Sequence, residues 1–286
     1  MFGRRADATL VADLSPMRRF MPLISPRRND SLFYMMQEIE VDAALAFLER
    51  RNATRPPERP ITLFHLFLRS ATLALHLRPG VNRFVKGGRL WQRDGCWITF
   101  SAKRELVDGS PLLTVKRRFH PEAEKLEPMV DAIYERLGRR RSGERDTSDR
   151  EVGLLLRLPP FLVKPILFLN DKLDDWGLLP RSMLDADPLC GSIFMANLGS
   201  IDYPAGFHHL WEHGTISIFG VMGRIESLPG RPRYMNAAWT YDERIEDGLY
   251  SYYTLQSIKE RIEQPELLDA DIEVLRERER ERIKRR

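Results

Sequence analysis

Cysteine is nearly absent: the 286 residues contain two, Cys96 and Cys190, far apart and without metal-ligand spacing. That excludes a disulfide framework and fits a reducing compartment. No apolar run reaches the roughly 18 residues that a transmembrane helix needs. The nearest, Val152 to Leu169, is broken by Arg157, Lys164 and three prolines. The basic start, Met1 to Arg5, leads into Ala6-Asp7-Ala8-Thr9 rather than an apolar core, so no secretory signal is read there. A dominant charge sign is also missing. Lys and Arg number 45 against 41 Asp and Glu, a net charge of +4 with the signs interleaved. Nucleic acid, which needs a concentrated basic face, is not expected as a partner. A cytoplasmic protein with no transmembrane segment is the expectation.

What the chain does have is an alternation of strand-like and helix-like segments, with 43% apolar residues to form a core. Ser15-Pro16 starts a helix, with Ser15 as cap and Pro16 at the first position. Phe33 to Val41 is a strand, Ala43 to Asn52 a helix, and Thr62 caps a helix ending at Leu77 before Pro79-Gly80. Gly87-Gly88 marks a hairpin, Trp97 to Ala102 and Leu112 to Val115 are strands around a turn at Asp108-Gly109, and Pro121 to Leu137 is a helix. Arg139 to Asp149 is a polar loop. The apolar, proline-broken stretch from Val152 to Asp187 predicts two short helices that cover the core or a subunit contact; the competing reading is a flap that meets lipid. Strands follow at Cys190 to Gly199, Thr215 to Ile225 and Arg233 to Tyr241, then a helix at Leu249 to Ile262. Asp271 to Arg286 carries opposite charges at i,i+4 and predicts a solvated helix.

The chemistry concentrates in Tyr241-Asp242-Glu243-Arg244-Ile245-Glu246-Asp247-Gly248, a charged corner between a strand and a helix. This stretch resembles the Asp-His-Arg-x-x-Asp-Gly signature of the catalytic domain shared by 2-oxoacid dehydrogenase acyltransferases (dihydrolipoamide acyltransferases) and chloramphenicol acetyltransferase. Asp242, Arg244, Asp247 and Gly248 match, and Glu243 stands where the family has its catalytic His. Further matches are Ser15 to Arg19 with the family's Ser-x-Met-Arg-Lys, and Gly191 to Gly199 with its Gly-Thr-Phe-Thr-Ile-Ser-Asn-Leu-Gly strand. The resemblance covers about residues 11–268 as an acyltransferase-type catalytic domain, with 139–190 as an insertion and 269–286 as a charged C-terminal helix or tail. It implies an α/β chloramphenicol acetyltransferase-like fold, a mixed sheet flanked by helices, in a homotrimer with the site between subunits.

In that family the His takes a proton from a thiol of coenzyme A or dihydrolipoamide, and a hydroxyl stabilises the oxyanion. Carried over, the base position falls on Glu243 and the hydroxyl on Ser192. Arg18 and Asp247 form a structural ion pair at the site, with Gly248 and Asn197 also structural. His208 and His209, in the same loop as His213, are the alternative bases. His209 and His213 stand i,i+4 but lack a third ligand, so no metal is expected. The function implied is a CoA-dependent acyltransferase lacking a lipoyl domain, with acyl-CoA or an acyl carrier as partner. The competing reading is a catalytically inactive trimeric scaffold. It follows from Glu243, since a carboxylate near pKa 4.3 is a weaker base than a His near 6.5 by about 3 kcal/mol.

Overall fold

The computed structural model describes residues 4–103, 112–141, 153, 155 and 157–284. Among the described residues the strands are β1 (Ala8–Leu10), β2 (Leu32–Glu40), β3 (Arg83–Lys86), β4 (Arg89–Arg93), β5 (Cys96–Lys103), β6 (Leu112–Phe119), β7 (Ile193–Asn197), β8 (Ile218–Glu226) and β9 (Tyr234–Asp242). The helices are α1 (Pro16–Ile24), α2 (Asp42–Asn52), α3 (Leu63–Leu77), α4 (Leu126–Arg141), α5 (Pro160–Asp175), α6 (Arg181–Ala186), α7 (Gly248–Glu263) and α8 (Ile272–Lys284).

A six-stranded mixed sheet runs β2-β9-β8-β7-β5-β6; β7 is parallel to both neighbours and the other pairs are antiparallel. A smaller sheet, β1-β4-β3, stands beside it. Strand alternation divides the core into two faces. Ile193, Met195, Ile218 and Trp239 point to the helical face, where Phe67 of the largely buried α3 lies 5.2 Å from the Trp239 ring. A Cβ on Gly220 would come within 2.7 Å of the Trp239 ring, so the close approach there requires glycine. Phe194, Phe219, Val221 and Ala238 point to the opposite face, which Leu210 and Trp211 cover.

Gly87 and Gly88 both hold positive φ, 59° and 70°, as a two-residue hairpin turn needs. The turn also presses against α5: a Cβ on Gly87 would sit 2.3 Å from the Asp175 carbonyl oxygen.

Three expectations shift. The helix foreseen from Pro121 starts at Leu126, because the Arg69 guanidinium donates to the Pro121 carbonyl at 3.2 Å and holds those residues in a turn. The same helix continues to Arg141, into the segment read as loop; residues 142–150 and the Asp108-Gly109 turn lie outside the described residues. The charged tail is a helix, α8, but one side is buried. Leu275 joins the core, and the Glu279 carboxylate accepts from Arg261 at 2.7 Å and lies 2.9 Å from Arg282. Among the described residues no helix is long and apolar enough to cross a membrane.

Candidate active site

β9 delivers Asp242 to the corner and α7 leaves it, with Asp247 as N-cap accepting from the Tyr250 amide at 2.8 Å. Asp242 is fully buried and Arg244 nearly so. Their side chains pair through two bonds, Nε to Oδ1 at 2.8 Å and Nη2 to Oδ2 at 2.7 Å. Arg244 Nη1 donates to the Ser25 and Pro26 carbonyls at 2.8 and 3.0 Å, which ties the corner to the end of α1. A third buried charge, Arg28, places Nε 3.9 Å from Asp242 Oδ2. It donates to the carbonyls of Trp211 and Gly214, the latter at 3.0 Å. Burial pushes the Arg28 guanidinium below its ordinary value, and the Asp242 charge opposes that shift. Glu212 completes the tie by accepting from the Arg28 and Asn29 amides at 3.1 and 3.0 Å.

Glu243, like Asp247, is an exposed member of this corner. Its amide donates to the Ser31 carbonyl at 2.9 Å, while its carboxylate has no hydrogen bond among the described residues. Arg18 reaches the corner from α1 and donates to the Glu243 carbonyl at 3.3 Å. Its Nη2 lies 3.5 Å from Glu246 and 3.9 Å from Asp247. The Arg18–Asp247 contact is therefore a loose one, with the Asp247 side chain 64% exposed. Glu246 takes the firmer role, at 2.6 Å from Arg83. Gly248 opens α7 in free space.

Ser192 lies just before β7. The register that aligns Ile193, Ile218 and Tyr241 puts Ser192 at the same end of the sheet as Asp242. Two strand spacings, about 10 Å, separate them. The Ser192 hydroxyl is buried and accepts from the Trp97 amide at 3.1 Å. Asn197 ends β7 at the far side and caps the turn at Ser200, accepting from its amide at 3.1 Å. His208 stacks on Phe219 at 4.2 Å and on the exposed His209 at 4.5 Å, against the sheet face. Neither ring bonds to the corner among the described residues; His208 Nδ1 pairs with the His209 carbonyl at 2.6 Å.

His213 does something the sequence did not disclose. Its Nδ1 lies 2.8 Å from Asp171 of α5 and its Nε2 2.9 Å from Asp187, so it clasps the 160–187 segment to the loop before β8. Hydrogen bonds to Asp171 and then Asp187 raise its pKa to about 10. The folded value lies above the unfolded one of about 6.5, so the stabilisation is complete below pH ~6.5 and is lost as pH rises through the folded value. The side chain is a third exposed, and solvent screening holds the effect to about 1 kcal/mol. Melting temperatures across neutral to alkaline pH are expected to fall more steeply for the wild type than for His213→Gln; parallel slopes would remove the clasp.

Arg28, Arg244 and Glu212, with Lys86, Asp171 and Trp176, line a cavity of about 690 Å³ between the corner, the hairpin turn and α5. Neither Glu243 nor Ser192 lines it. Sequence reasoning missed Arg28 and Glu212: the first sits in an unremarkable Arg27-Arg28 pair, and the second was seen only as a neighbour of histidines. Among the described residues no cluster of His, Cys, Asp and Glu is arranged to hold a metal.

This mixed sheet flanked by helices matches the fold of the chloramphenicol acetyltransferase-like acyltransferase cores. The chain is similar to a probable dihydrolipoamide acetyltransferase from Listeria monocytogenes, at 17% identity and TM-score 0.57 over 89% of this chain and 94% of that one. Dihydrolipoamide acetyltransferase from Azotobacter vinelandii aligns at 14% identity and TM-score 0.58, over 90% and 94%. In that enzyme a serine, a histidine and an asparagine were investigated for their part in catalysis, the last two being four positions apart. Glu243 and Asp247 have the same spacing. A chloramphenicol acetyltransferase aligns at 12% identity and TM-score 0.54, over 90% and 98%. No family profile and no curated protein matches the chain. The likeness therefore establishes the fold: α/β, a mixed sheet flanked by helices, of the 2-oxoacid dehydrogenase acyltransferase type.

Proposed function

We propose that the protein is a CoA-dependent acyltransferase of the 2-oxoacid dehydrogenase type, acting on a separate acyl carrier or a free thiol, in which Glu243 is the base and a homotrimer completes the site. One observation carries this reading: the Glu243 carboxylate is exposed and makes no hydrogen bond among the described residues, on a corner whose Asp242 and Arg244 are buried and paired. Next to it lies a band of exposed apolar side chains, Met17 and Phe20 on α1 and Phe33 and Tyr34 on β2. A second copy covering this band removes water from Glu243. Desolvation raises a carboxyl pKa and so closes the gap of about 2 units to a histidine.

The residues then divide the work. Glu243 takes the thiol proton as the sulfur attacks the acyl carbonyl, and returns it to the coenzyme A sulfur when the original thioester C–S bond breaks. Arg18, bonded to the Glu243 carbonyl, supplies positive charge near the developing oxyanion. Ser192 accepts from the Trp97 amide and retains its own proton to donate. Coenzyme A is bound as substrate, and no metal enters the scheme.

The second reading, a trimeric scaffold without catalysis, is favoured by the burial of Ser192, only 3% exposed. Light scattering is expected to give three times the chain mass at micromolar concentration. Acetyl-CoA turnover with a panel of thiols then separates the two readings: a trimer that releases no free CoA with any thiol is the scaffold, and a monomer removes the shared site.

A further inference from the structure

α5 is built in two unlike halves. Its C-terminal half is pinned to the body through carboxylates: Asp171 to His213, Asp174 to Arg5 at 2.8 Å and to Lys86 at 3.3 Å, and Asp175 to the Gly87 amide at 3.3 Å. Its N-terminal half touches little. Phe161 is 71% exposed and Phe168 63%, with Leu162, Ile166, Leu167 and Leu169 also exposed. At 100° per residue these six positions cover the whole circumference, so no single face is left for water. A helix that is apolar all round is normally buried. Nothing in the described chain buries this one, and it is separate from the band on α1 and β2.

The charges say what covers it. The exposed half carries Lys164, with Arg157 just before it, both solvent-facing and basic. Every acid of α5 lies in the pinned half, at positions 171, 174 and 175. Apolar side chains with flanking cations are the pattern of a segment that enters a bilayer surface. The apolar half, roughly 15 Å long at 1.5 Å per residue, is too short to span a bilayer and long enough to enter one leaflet's boundary.

We propose that the N-terminal half of α5 inserts into the surface of an anionic lipid bilayer, anchoring the protein there without spanning it. The acidic half of the helix stays outside, held by Arg5, Lys86 and His213. This inference does not depend on the chemistry of Glu243.

The test uses the purified full chain and sedimentation with vesicles, either pure phosphatidylcholine or phosphatidylcholine with about one quarter phosphatidylglycerol. The wild type is expected to sediment with the anionic vesicles, less so as salt rises. Phe161→Ser combined with Phe168→Ser is expected to lower the partition coefficient at least tenfold, because two large inserted side chains are lost. Lys164→Glu is expected to lower it roughly tenfold on anionic vesicles and little on neutral ones. Both variants change exposed side chains, and their melting temperatures check that the fold is intact. A wild type that stays in the supernatant overturns the proposal, as does a double variant that binds like wild type. If the serine substitutions instead reduce the oligomer's mass, the helix is a contact between copies and the lipid proposal fails.

Discussion

Asp242→Ala is expected to lower stability by about 3–5 kcal/mol, measured by urea unfolding. The carboxylate is fully buried and holds two guanidiniums, Arg244 through two short bonds and Arg28 at 3.9 Å. Removing it leaves two buried cations facing each other without the carboxylate that pairs with both, and truncation of one member of such a cluster costs more than the net worth of the pair. Domains have only about 5–15 kcal/mol in total, so a large part of the stability goes with this one side chain. Asp247→Ala makes the contrast. That residue caps α7 while its carboxylate faces solvent, so its loss is worth about 1 kcal/mol. An order of effects with Asp247 the more costly would return the anchor to the Arg18–Asp247 pair.

Glu243→Gln is expected to lower kcat for acyl transfer from acetyl-CoA by about 10²–10⁴, the range typical of losing a general base. The amide keeps the shape and cannot accept the thiol proton. Stability should hardly change, because the carboxylate is exposed and makes no hydrogen bond among the described residues. Glu243→His is the companion variant. It places a group of pKa near 6.5 at the same position and should sustain transfer at neutral pH. Gln at wild-type activity would reject Glu243 as base. No turnover by wild type, Gln or His, with the trimer intact, would leave the scaffold.

The corner was legible in the sequence as a place and not as a circuit. Strand, charged turn and helix follow from Tyr234 to Glu263, and the motif positions picked out Asp242, Arg244 and Asp247 as meaningful. Which of them is buried depends on what covers the corner: the 211–214 loop and the chain after α1, both distant in sequence. The motif therefore paired Arg18 with Asp247, whereas the buried ions are Asp242, Arg244 and Arg28. Likewise the polar alternation of the last helix showed a helix but not that Leu275 and Glu279 turn inward, since the partner Arg261 lies on another element. The helices of the 152–187 stretch were visible from its apolar runs broken by proline. Their exposure was not, because apolar composition reads the same whether protein, lipid or water surrounds it.

β2 is one of the two edge strands of the six and, among the described residues, pairs only with β9. Its exposed Phe33, Tyr34 and Met36 accompany a row of backbone groups left without a strand partner. A free edge of this kind is adhesive toward any extended chain. Among unfolded chains such an edge is a template for added strands, so crowding during synthesis is where it is most open to mispairing.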